Sequence, residues 1–115
     1  MPLSLHDVSH DTMAFLEQLA PFGMGNPRPV FRFEEAVVAQ VRRFGKAQEH
    51  LELTVCPYSE YGHLGKKVKA IAFFTAPDAY GMPLTQGARV TVLAHMEVNR
   101  FGGSNEVRLR LVEVE

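Results

Sequence analysis

A chain of 115 residues, 46% hydrophobic and 22% charged, has the balance of one ordinary globular domain and excludes a disordered or fibrous protein. The formal net charge of −1 and pI near 6.5 argue against a protein that coats DNA indiscriminately, and the single cysteine, Cys56, cannot form an internal disulfide. No apolar run approaches the ~20 residues needed to cross a bilayer, and the opening MPLSLHDVSH lacks the basic and apolar regions of a secretory signal, so a cytoplasmic protein with no membrane partner is expected.

Residues 11–20, DTMAFLEQLA, read as a short helix. Asp11 or Ser9 can cap it, Leu16, Leu19 and Ala20 fall on one face with Met13 or Thr12 a turn earlier, and Pro21 and Gly23 stop it. So short a helix is marginal alone and must pack on something. The next stretch, PFGMGNPRPVF (21–31), holds too many prolines and glycines for regular structure. Its Asn26-Pro27 and Arg28-Pro29 steps favour an extended backbone, and Phe22, Val30 and Phe31 offer apolar anchors. It reads as an ordered strap.

From residue 35 onward the chain is strand and turn. EAVVAQVRRF (35–44) is rich in β-branched residues and ends at Gly45. HLELTVC (50–56) alternates, with Leu51, Leu53 and Val55 on one face. KKVKAIAFF (66–74) is apolar on both faces after its lysines, which suits a central or tightly curved strand. RVTVLAHMEV (89–98) places Val90, Val92, Ala94, Met96 and Val98 together, and NEVRLRLVEV (105–114) turns Val107, Leu109 and Leu111 inward and Arg108 and Arg110 outward. The Pro- and Gly-rich 75–88 segment is expected to be a loop or at most one helical turn. Five short strands suit a small barrel, which removes exposed edges. The expected architecture is thus mainly β: a helix and strap over 1–34, then a five-stranded OB-type barrel over 35–115.

Charge is divided unevenly along this plan. Residues 1–27 contain Asp7, Asp11 and Glu17 and no Lys or Arg, so every basic residue falls in the remainder. The hairpin after the first barrel strand carries Arg42, Arg43, Phe44 and Lys46. The next connection offers Tyr58, Tyr61, His63, Lys66 and Lys67, with Lys69 beyond, and the last hairpin adds Arg100 and Phe101 beside two glycines. Cations track phosphates and rings stack on unpaired bases, for ~1–3 kcal/mol each. Solvated hairpin tips also carry Lys, Arg and Tyr, so each residue alone is ordinary surface; the set, arranged along one OB groove, points to single-stranded nucleic acid.

Other chemistry finds little support. His6-Asp7 and His10-Asp11 repeat at i, i+4 and could reach one metal ion on a helix, but this is the pre-cap end, where Asp suits the helix dipole. Cys56, His50, His63 and His95 lack the short spacings of a zinc or nucleophilic site. No GxSxG, phosphate-cradling GxxxxGK[ST] or shielded carboxylate pair is present, so neither catalysis nor a bound cofactor is expected.

The strap carries a resemblance. Leu19 to Phe31, LAPFGMGNPRPVF, resembles the segment that opens the C-terminal OB domain of the RecJ family, bacterial single-strand-specific 5′→3′ DNA exonucleases. Gly45 with His50-Leu51, Ala70 to Phe73, Val98-Asn99 with Gly103, and Val107 to Leu109 resemble later parts of that domain. RecJ enzymes are DHH phosphoesterases whose Asp- and His-rich motifs bind manganese or magnesium, and those motifs are absent from this chain. The resemblance therefore implies the DNA-binding module of a repair and recombination nuclease, with single-stranded DNA and a DHH-type catalytic domain, in cis or in trans, as partners. The competing expectation is a scaffolding barrel whose acidic helix and strap dock onto another domain.

Overall fold

The computed structural model describes residues 2–19, 28–58 and 66–115. Residues 20–27, most of the expected strap, lie outside them, as do Tyr61 and His63. The helix α1 spans His10–Glu17 and is shorter than expected. Ser9 caps it, its Oγ accepting the Thr12 N–H at 3.2 Å. Met13 and Leu16 are buried, whereas Leu19 lies beyond the helix and is half exposed. The His6-Asp7 pair forms part of a single 3-10 turn over Leu5–Asp7, where Asp7 Oδ2 accepts the Ser4 N–H.

The described residues form six strands, five of them the alternating segments read from the sequence. They are β1 (Pro2–Leu3), β2 (Phe31–Phe44), β3 (His50–Pro57), β4 (Val68–Ala72), β5 (Arg89–Asn99) and β6 (Glu106–Val114). The last five close a barrel in the order β2-β3-β4-β6-β5, with β5 returning to β2. The two-residue β1, not foreseen from sequence, lies parallel to β2 at Pro2↔Arg32 and Leu3↔Phe33.

Closure depends on β2 serving two neighbours. Its first half pairs with β5 (Phe31↔Ala94, Phe33↔Val92) and its second with β3 (Val41↔Leu53, Phe44↔His50). It begins at Phe31, so the strap's last residue is barrel strand. Register shifts at Phe33/Ala36 and Val38/Gln40 bend it round the corner. The Val38 N–H and C=O, left without ladder partners there, bond Ala88 O (2.9 Å) and Gly87 N–H (2.7 Å) of the helix-free 75–88 connection. A third register shift, a bulge in β6, lies opposite Leu93/Ala94. It pushes Val112 outward and brings both Leu111 and Val114 into the interior, a change of phase that strict alternation does not foresee.

Phe31, Phe33, Leu51, Leu53, Val55, Val92 and Leu109 fill the barrel, and Leu5, Val8, Met13 and Leu16 extend the same core toward the N-terminus. Cys56 is buried with Sγ 3.8 Å from Val37 O, the environment of a small apolar side chain.

Candidate nucleic-acid interface

Strand register builds one outer face. Arg42 stands opposite Glu52, Glu52 opposite Ile71, Ile71 opposite Arg110, and Arg110 opposite His95, a row crossing five strands. A neighbouring row carries Gln40, Thr54 and Lys69, and the terminal pair is Phe44 with His50. Because β4 and β6 run parallel, the start of β4 (Lys66, Lys67, Lys69) and the Arg100–Asn105 hairpin share one end of this face. The 45–49 turn and the Phe73-Phe74 turn mark the other. Along the outward side of β4, four strand rises, about 13 Å, separate Lys69 from Phe73.

The 45–49 end carries packed rings. Phe44 lies 5.1 Å from His50 and 6.1 Å from Phe73, and His50 lies 5.1 Å from Phe73 and 4.6 Å from Phe74. His50 holds the group together. Its Nδ1 accepts the Phe74 N–H at 3.1 Å, which places the ring proton on Nε2, 3.1 Å from Glu49 Oε1. Two guanidiniums flank the rings: Arg110 lies 4.5 Å over Phe73 and Arg42 5.8 Å over Phe44. Phe74 is 80% exposed and held at φ 53°, a conformation uncommon for a bulky residue.

Gly45 makes the turn beneath possible. It sits at φ 97°, and a Cβ there would meet Glu49 Oε1 and His50 Cδ2 at 2.7 Å. Glu49 Oε2 accepts the Ala47 N–H at 2.8 Å. Its own backbone N–H and that of Ala47 hold the Glu49 carboxyl below the usual carboxylate range, helped by His50 and Arg43.

The candidate residues from sequence divide by position. Arg42 and Phe44 share the outer face, and Lys46 stands on the turn beside them. Arg43, one residue out of phase, faces the other way. Lys69 lies on the face, 3.9 Å from Glu106, and Lys67 borders a groove beside Gln40 and Thr54. Lys66 turns from solvent to bond the carbonyls of His6 (3.4 Å) and Val8. Arg100 and Phe101 stand on the far hairpin, where Phe101 is 89% exposed and Gly102 and Gly103 take positive φ. Tyr58 belongs elsewhere, on the seam where β2 meets β5, with Arg89 stacked 3.8 Å over its ring. Sequence reasoning overlooked His50, Phe73 and Phe74 as surface rings and placed Arg110 outward without counting it among the binding residues. The available signal was phase: Phe73 falls two residues after Ile71 and four after Lys69, on the outward side.

Among the described residues, no three His, Cys, Asp or Glu side chains gather where they could hold a metal ion. No helix among them is long and apolar enough to cross a membrane.

A closed five-stranded barrel with this strand order is an OB fold, here carrying rings and cations across its β3–β4 face. The model of the RecJ OB domain matches residues 1–113, and the chain belongs to that family. It is 24% identical over 107 residues to the single-stranded-DNA-specific exonuclease RecJ of Bacillus subtilis (strain 168), covering 93% of this chain and 13% of that protein. It is similar in fold to RecJ from Thermus thermophilus, solved in complex with Mg2+, with a TM-score of 0.58 and 22% identity over 90% of this chain and 14% of that one. The chain thus spans a small part of either relative.

Proposed function

We propose that this chain is the single-stranded-DNA-binding OB domain of a RecJ-like 5′→3′ exonuclease acting in cytoplasmic DNA repair and recombination, and that it has no catalytic centre or cofactor of its own. The observation that carries this reading is the ring group Phe44, His50 and Phe73, flanked by the guanidiniums of Arg42 and Arg110 on one outward face. Bases stack on such rings without regard to sequence, and the cations follow the phosphates. A strand lying across the face would pass between the Lys46 turn and the Arg100–Phe101 hairpin. The domain would hold the strand while a DHH-type catalytic domain, with its own manganese or magnesium, cuts the 5′ end. The curated relative is a single-stranded-DNA-specific exonuclease, which supports this choice of ligand.

Fluorescence anisotropy with a labelled oligothymidylate tests it. Binding should weaken as salt rises and fall when Arg42, Lys46, Lys67 and Lys69 are made neutral together. Absence of binding at low salt, or indifference to those charges, would sink the proposal. A docking role is favoured by a separate observation: Phe15 is 63% exposed and Leu19 49% exposed on a segment without basic residues. Under that reading α1 contacts the catalytic domain, and the two roles are compatible.

A further inference from the structure

Arg108 and Arg110 point outward from β6, yet neither presents an open cation. Both meet one carboxylate: Arg108 Nε lies 2.8 Å from Glu97 Oε2, and Arg110 Nη2 lies 3.1 Å from Glu97 Oε1. Glu97 stands directly opposite Arg108 across the β5–β6 ladder. One carboxylate thus answers two guanidiniums, so this cluster of three side chains carries one net positive charge, with Glu17 and Glu113 lining the adjoining grooves. Arg110 also borders two grooves, one beside His95 and Arg100 and the other beside Phe73 and Tyr80. Its Nε is buried, with no hydrogen-bond acceptor among the described residues. This guanidinium is stacked, under-satisfied and placed between two open channels.

We propose that Arg108 and Arg110 form a phosphodiester site of this interface, which Glu97 occupies in the free protein as an internal stand-in for phosphate. The site deepens the single-stranded-DNA reading and rests on it. A phosphodiester offers the same anionic oxygens as the carboxylate, and the Phe73 ring under Arg110 puts a stacking surface beside it. The exchange trades one anion for another, so the two arginines add little to net affinity. Glu97 then holds the domain at modest affinity, suited to a strand that must keep moving through a nuclease.

The test compares four forms of the full chain in the anisotropy titration: wild type, Glu97→Gln, Arg108→Gln with Arg110→Gln, and the triple variant. Glu97→Gln should bind roughly three- to tenfold more tightly, the fold-change of releasing two partly exposed ion pairs. It should also steepen the salt dependence, by up to ~0.7 in the log–log slope per added phosphate contact. Removing both arginines should cost far more affinity in the Glu97→Gln background than in wild type. Glu34→Gln, which deletes an equal charge beside Arg32 on the seam, should leave affinity unchanged. An equal gain in Glu34→Gln would assign the effect to net charge and overturn the site. A wild type that binds, with Glu97→Gln weaker or unaltered, would make Glu97 a positioning partner and overturn the inference while leaving the groove reading intact. Loss of salt-sensitive binding in every form, with melting temperatures preserved, would remove the groove reading and this site together.

Discussion

The seam where β2 meets β5 and the face formed by β3, β4 and β6 use the same residue types to opposite ends. On the seam Arg89 stacks on Tyr58 and bonds Glu35, while Arg32 bonds Glu34 (3.0 Å) and Glu115 (2.9 Å). Two cations there meet three carboxylates, and the stacked ring is occupied by the protein itself. On the face, Arg110 lies over Phe73 and Arg42 over Phe44, Arg42 pairs with Glu52 at 2.7 Å, Lys46 and Lys67 are exposed, and the carboxylates Glu52, Glu97 and Glu106 are outnumbered. Arginine beside an aromatic is therefore not a binding signal in itself. What separates the two regions is whether the neighbouring strands supply enough carboxylate to neutralise the cations.

The largest test of this contrast removes rings. Phe44→Ala with Phe73→Ala should weaken oligonucleotide binding by about 2 kcal/mol or more, whereas Tyr58→Ala should leave it within about twofold; comparable losses would erase the distinction. Next come single charges. Arg42→Gln and Lys69→Gln should each lower affinity a few-fold and flatten the salt slope by ~0.7. Arg89→Gln should leave the slope alone and appear only as a small loss in denaturant stability.

Phe74→Gly sharpens the comparison further. Glycine accepts the positive φ that Phe74 holds, so stability should be unchanged or rise by up to ~1 kcal/mol, while affinity falls through loss of an exposed ring. A marked destabilisation would mean that its contact with His50 outweighs the backbone strain. The smallest effect is acidic. The Glu49 carboxyl titrates below its unfolded value, so its contribution is present above the ordinary range near pH ~4.3 and fades as pH falls through the folded value. The Ala47 amide resonance should follow that titration, and Glu49→Gln should abolish it.

Much of the barrel could be read from period-two alternation in 50–56, 89–98 and the first part of 105–114, where each strand has one wet face. Legibility failed where register breaks. The bulge at Val112, the corner at Val38/Gln40 and the short β1 arise from closure between distant segments and leave no local pattern. The interface was half legible for the same reason. Basic residues and rings on hairpins stand out in a sequence. Phe73 and Phe74, at the end of an apolar run, look like core until the third barrel strand is seen to stop at Ala72. Arg108 and Arg110 are plainly outward, but only the packing across the β5–β6 ladder shows that Glu97 meets both, Arg108 directly and Arg110 diagonally.

The dual pairing of β2 also has a kinetic consequence. Phe31 and Phe33 find their partners only when Val92 and Ala94 arrive, and β4 is flanked on its second side only when β6, the last of the barrel strands in sequence, slots in parallel to it. Such long-range contacts place the domain among slower small folders, on the scale of milliseconds to seconds. During synthesis the hairpin of β2 and β3 would emerge well before the strands that complete its surroundings, so a ribosome-bound chain halted before residue 106 should remain protease-sensitive.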